Sequence, residues 1–143
     1  MNANLDGKLI ALVRVRGRPG TRSDIEETLE RLNLPKIHNL SFTIGNKSSI
    51  GMIRKCDAFI TYGEIEKDIF KKILKKKGIE ISDSDIEAIL NGKKKIKEVL
   101  KLPIRLHPPS KGFRSTKKNI KDGGDLGYRG IDIINLLKRM GAL

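Results

Sequence analysis

The sequence predicts an α+β protein in which a β-α-β-α-β core over residues 8–63 is followed by a helical and extended C-terminal extension. Two observations carry that expectation. Three short runs of alternating apolar residues are separated by stretches with helical spacing of only about ten residues each, too short for a doubly wound parallel sheet. After the third run, both the charge balance and the periodicity change.

The elements follow in order. Leu9–Arg16 (LIALVRVR) ends in alternation, with Val13 and Val15 on one side and Arg14 and Arg16 on the other, the pattern of a strand with one face in a core. Gly17-Arg18-Pro19-Gly20 breaks it. Ser23-Asp24-Ile25-Glu26 reads as a capping box for a helix bearing Ile25, Leu29 and Leu32, with Pro35 as the stop. Leu40, Phe42 and Ile44 alternate with Ser41 and Thr43 in a second strand. Ser48 or Ser49 can cap a second helix with Ile50, Ile53 and Cys56 along one side, and Ala58–Tyr62 makes a third strand closed by Gly63. A small mixed or antiparallel sheet with both helices on one face accommodates this order, as a two-layer core.

The extension, residues 66–143 against a core of 1–65, is less regular. A helix from about Glu64 to Lys77 carries Ile65, Ile69 and Ile73, ends at Gly78, and sets Lys67, Lys71 and Lys75 four apart on another face. Ser82–Asp85 caps a short helix to Leu90, Lys93–Lys101 can form another, and Ile104-Arg105-Leu106 can add a strand. His107–Tyr128 reads as an extended basic loop, longer than compact domains usually keep without a functional reason, and Gly130–Met140 as a closing helix.

Charge is divided unevenly. The 143 residues carry a net +13, but residues 1–70 hold 11 basic and 9 acidic side chains while residues 71–143 hold 19 and 8. Such an excess repels itself unless a polyanion neutralises it, and nucleic acid gains further from counterion release. The longest apolar run, Leu9–Val13, is far below the ~18 residues a membrane span needs. No basic-then-apolar leader precedes it. A single cysteine, Cys56, suits a reducing cytoplasm and reads as core packing.

Catalytic chemistry finds little stock. His38 and His107 are far apart and have no Cys or His nearby, so no metal or cofactor site is expected. Asp24, Glu26, Glu27 and Glu30 crowd one helix start, where the dipole favours them. Gly17-Arg18-Pro19-Gly20 lacks a nucleotide-loop ending, and Gly123-Gly124-Asp125 ahead of a helix can hold a backbone phosphate or simply form a capping turn. An enzyme is therefore not expected, and neither is a small-molecule substrate. Phe113, between Gly112 and Arg114, can stack on an unpaired base or dock in a protein pocket.

Taken in order, Gly17-Arg18, Leu29-Glu30-Arg31-Leu32-Asn33-Leu34, Ile50-Gly51-Met52-Ile53 and Tyr62-Gly63-Glu64 resemble the large-ribosomal-subunit protein thirty family. Its eukaryotic counterpart is large-subunit protein seven. Arg105-Leu106-His107-Pro108-Pro109, Lys111-Gly112-Phe113-Arg114, Gly123–Gly130 and Leu137-Lys138-Arg139-Met140 are similar to the longer archaeal form. The resemblance implies a three-stranded antiparallel sheet of ferredoxin-like character with two helices on one side. It also implies a structural role in the large ribosomal subunit: binding large-subunit ribosomal RNA close to 5S RNA, beside neighbouring ribosomal proteins, in the cytoplasm and in support of translation. The RNA-facing residues it implies are Arg14, Arg16 and Arg18; Lys47, Ser48, Gly51, Arg54 and Lys55; and Lys111, Arg114, Lys117, Lys118 and Arg129, to which the loop itself adds Phe113 as a candidate. A free-standing RNA-binding regulator or chaperone is the alternative.

Overall fold

Strand β1, Leu9–Arg14, is the centre of the molecule. A computed structural model describes residues 7–17, 20–79, 81–91, 93, 104–110, 112–113, 120 and 123–142, residue 131 by its backbone alone. Along β1 the side chains alternate between two cores. Leu9, Ala11 and Val13 enter one, Ile10 and Leu12 the other, and all five are buried. A near-continuous apolar run is the mark of a strand covered on both faces. The expectation of a single buried face is corrected: the alternation at Val13–Arg16 lies at the strand's end, while the continuous apolar run Leu9–Val13 carries the signal.

Around β1 the sheet has five strands in the order β4-β2-β1-β3-β5. Strands β2 (Asn39–Ile44) and β3 (Ile60–Glu64) flank β1, both antiparallel to it. Strand β4 (Ile104–Arg105) extends β2 antiparallel, and β5 (Gly127–Tyr128) runs parallel to β3. The antiparallel trio is thus part of a larger mixed sheet. Two-residue strands such as β5 carry no periodicity, so this one was read as the end of a loop.

Helices α1 (Ser23–Arg31) and α2 (Lys47–Lys55) cover one face, with Leu29, Leu32, Ile53 and Cys56 packed on Ile10, Leu12, Ile60 and Tyr62. Helices α3 (Lys67–Lys76), α4 (Asp83–Leu90) and α5 (Ile133–Arg139) supply the other core through Phe70, Ile73, Ile86, Ile89, Leu136 and Leu137. Residues 94–101, where a further helix was expected, lie outside the described residues.

Local chemistry sets the helix ends. The expected Ser23 capping box does not form: Arg22 is the N-cap, without a side-chain cap, and Glu26 turns inward instead. Asn46, not Ser48 or Ser49, caps α2, exchanging hydrogen bonds with Ser49 at 2.9 and 3.0 Å. Ser82 caps α4 as expected, accepting from the Asp85 N–H. Helix α1 stops at Asn33, ahead of Pro35: its φ of 63° lets the Asn33 and Leu34 N–H groups donate back to the Glu30 and Leu29 carbonyls. Gly78, with φ 73°, ends α3 in the same way.

Gly63 was expected to close the third strand, but it sits inside β3. A Cβ there would lie 2.1 Å from the Gly130 carbonyl oxygen and 2.9 Å from Ile133. The glycine therefore admits the start of the C-terminal helix to the sheet face. The closing helix accordingly begins with a 3-10 turn, Gly130–Asp132, before α5.

Candidate nucleic-acid interface

The basic residues separate into interior struts and outward cations. Arg14, at the end of β1, is fully buried. Its guanidinium donates to both carboxylate oxygens of Glu26 on α1, at 2.5 and 3.4 Å, to the Leu34 carbonyl at 2.9 Å and to the Arg16 carbonyl at 2.8 Å. One side chain thus ties β1, α1 and the α1–β2 connection. Arg14 is therefore corrected from an RNA-facing residue to a structural one, since a guanidinium with no accessible surface cannot meet a phosphate.

Arg129 needs the same correction. It pairs with the buried Asp125, and its Nε–H donates to Thr61 Oγ1 at 2.8 Å, while that hydroxyl donates to the Gly127 carbonyl at 2.9 Å. The Arg129 N–H also donates to the Tyr62 carbonyl at 2.7 Å, and the Tyr128 hydroxyl to Glu64 at 2.9 Å. Residues 125–129 are thereby laced to β3. Here the Gly123–Gly130 stretch serves the sheet rather than a helix cap.

Helix α2 is different. Lys47, Gly51, Arg54 and Lys55 lie at i, i+4, i+7 and i+8, on one exposed face, with Ser48 beside them. Ser49 and Ile53 point inward. Among the described residues Lys47 and Arg54 have no acidic partner, and Lys55 reaches Asp24 only at 3.9 Å. Asp24 is itself held by Arg22 at 2.6 Å, and that hydrogen bond draws its carboxyl down to about 2. Gly51 sits in the middle of this face, and apart from its chain neighbours and its own helix backbone a Cβ there would meet nothing within 4 Å. A tight helix–strand contact therefore does not account for it, although glycine inside a helix costs about 1 kcal/mol relative to alanine.

The turn leaving α2 brings in Arg16. The Val15 and Arg16 N–H groups both donate to the Phe59 carbonyl, and the Arg16 guanidinium lies 4.9 Å from the Phe59 ring centroid. At this same end of the sheet the Leu106 N–H donates to the His38 carbonyl, and Gly127 pairs with Thr61. Both ends of the long basic segment are thus fixed at the same end of the sheet as Arg16 and the C-terminal end of α2. Arg18, Lys111, Arg114, Lys117 and Lys118 lie outside the described residues.

Phe113 takes the protein-docked alternative. Its ring stacks on His38 at 6.0 Å between centroids, 24° from parallel, and packs against the larger core. Burial lowers the His38 pKa, favouring the neutral imidazole. Cys56 is buried and its thiol is pushed up to about 11, chiefly by desolvation, which leaves it protonated and unreactive as a core residue. Among the described residues no cluster of three metal-ligating side chains occurs, and no helix is long and apolar enough to cross a membrane.

Fold and surface together define a basic α+β protein with a cationic helix face, on α2, that the acids of the described residues do not neutralise. The pattern of the family described as ribosomal protein L30p/L7e matches residues 10–60, from β1 to the start of β3. Over nearly the whole chain, the large ribosomal subunit protein uL30 of Nanoarchaeum equitans is 37% identical, the alignment covering 92% of this chain and 97% of its own. The uL30 proteins of Staphylothermus marinus and Methanoregula boonei are 35% and 33% identical, over 92% of this chain and 98% and 99% of theirs. The chain belongs to the L30p/L7e family of ribosomal proteins.

The Arg14 strut carries a direct test. Glu26→Ala strands a buried charge and is expected to destabilise the free protein by about 3–5 kcal/mol in urea unfolding, whereas the double replacement Arg14→Met/Glu26→Leu, which removes both charges, costs much less. Weakened RNA binding by Arg14→Met, with stability unchanged, would return Arg14 to the interface.

Proposed function

We propose that this chain is a structural constituent of the large ribosomal subunit, held there by large-subunit ribosomal RNA. Family membership over nearly the whole chain supports the ribosomal role. The observation that carries the RNA contact is the α2 face: Lys47, Arg54 and Lys55 surround Gly51, where nothing in the protein fills the space. Cations around a bare patch of helix backbone suit a sugar–phosphate chain, which can approach closely while its charges are met on either side.

Arg16, Arg18, Ser48, Lys111, Arg114, Lys117 and Lys118 extend the same contact, with Phe113 holding the loop to the body through His38. Neighbouring ribosomal proteins and a position close to 5S RNA complete the reading, in the cytoplasm, in support of translation. The chemistry required is charge neutralisation and shape, with no bond made or broken.

In a sucrose gradient, tagged protein is expected to travel with the large subunit through moderate salt. Protein found only in the free fractions of growing cells would contradict the assignment and favour a regulator or chaperone. Gly51→Ala gives an opposed pair of outcomes: the free protein gains about 1 kcal/mol, while its affinity for large-subunit RNA falls. An alanine variant that is more stable and binds equally well would remove Gly51 from the contact.

A further inference from the structure

Helix α3 bears a second cationic face on the opposite side of the sheet from α2. Its inward arc is Phe70, Ile73 and Leu74, packed on β1 and β2 residues such as Val13 and Phe42. Phe70 meets Phe42 edge-on at 4.8 Å. On one flank Lys67 pairs with Glu87 at 2.9 Å and Lys71 with Asp83 at 2.7 Å, so two of the regularly spaced lysines fasten α4 to α3. The remaining outward arc carries Lys72, Lys75 and Lys76, all exposed, and Asp68, the helix's only acid. Lysines in the last turn also complement the helix dipole, which accounts for Lys75 and Lys76 but not for Lys72.

We propose that the outward face of α3, through Lys72 and Lys75, docks the phosphate backbone of a second RNA segment, so that the protein bridges two stretches of ribosomal RNA. This rests on the reading above that the chain is an RNA-bound constituent of the large subunit. Geometry separates the two contacts. Packed layers lie ~10 Å apart, so α2 and α3, with the sheet between them, stand about 20 Å apart and present their cations in opposite directions. That exceeds the Debye length of about 8 Å at physiological salt, so phosphates held on α2 do not neutralise α3. Two of the three α4 acids, Glu87 and Asp83, are already engaged by Lys67 and Lys71. Lys72 and Lys75, with Asp68 as the one acid of α3 beside them, therefore keep a net positive charge for an external anion, and inside a ribosomal particle that anion is RNA.

The surface also has relief. Beside the lysines is a cleft of about 410 Å³, lined by Leu74, Ile79 and Ile81 together with Lys71, Lys75 and Asp83. An apolar recess next to a cation suits a ribose or base edge whose phosphate is held at the rim.

The experiment compares the full-length chain with two variants, Lys47→Gln/Arg54→Gln and Lys72→Gln/Lys75→Gln, binding deproteinised large-subunit ribosomal RNA. All four side chains are exposed, and unfolding curves check that both variants fold. Each variant is expected to flatten the slope of log affinity against log salt by about 2, roughly one per cation. In hydroxyl-radical footprints each is expected to lose protection over a different RNA stretch. A Lys72→Gln/Lys75→Gln variant with an unchanged slope and footprint would overturn the second contact and leave the α2 contact standing. So would loss of protection over the same stretch as the α2 variant. Wild-type protein without salt-dependent binding to this RNA would overturn both readings.

Discussion

Burial of β1 on both faces is the constraint from which the rest of the structure follows. A strand whose every side chain from Leu9 to Val13 is removed from water must be covered twice. The first cover, α1 and α2, comes from the segment immediately around β2. The second can come only from residues after β3, and α3, α4 and α5 provide it. The highly charged C-terminal half is therefore also the source of most of the larger core. Its helices divide the labour by face, isoleucines and leucines inward and lysines outward.

Charge is handled differently at each depth. Arginines at the ends of strands are drawn inside and paired, Arg14 with Glu26 and Arg129 with Asp125, where each satisfies several carbonyl or hydroxyl partners as well. Such pairs offset their desolvation only through complete hydrogen bonding, and they specify which elements meet. Helix lysines at the boundary serve as ties, as Lys67 and Lys71 do for α4. Among the described residues, outward cations on α2, at Arg16 and at Lys72 and Lys75 of α3 are left for an external polyanion. A net charge of +13 thus overstates how much of the basic content a partner can see.

The α+β class, the three antiparallel strands and most helices were legible because their signals are local: alternation in Leu40–Ile44, helical spacing in Ile25–Leu32, the stop at Gly78. What was not legible depends on contacts distant in sequence. Arg14 alternates as a solvent-facing residue should, and only the arrival of Glu26 from α1 makes its position interior. Gly63 reads as a strand breaker until Gly130 and Ile133, some seventy residues away, are seen to press on it. Strand β5 is two residues long, below any periodicity, and exists because β3 offers an open edge, whereas β4 is where Ile104-Arg105-Leu106 suggested a strand. In the candidate interface, the residues of the α2 face came from the family resemblance, since composition and spacing alone did not mark them. The engagement of Phe113 with His38 was not legible, since an aromatic residue among basic ones reads equally as a base-stacking platform.

Hydrogen exchange of the RNA-free, full-length protein tests the central claim most directly. If β1 must be covered on both faces to be stable, amides in α3 and α5, such as Ile73 and Leu136, exchange only through the same global opening as Leu12 in β1, with one shared free energy. Rapid exchange in α3 and α5 while β1, β2 and β3 stay protected would contradict it, because the first face alone would then hold the sheet together.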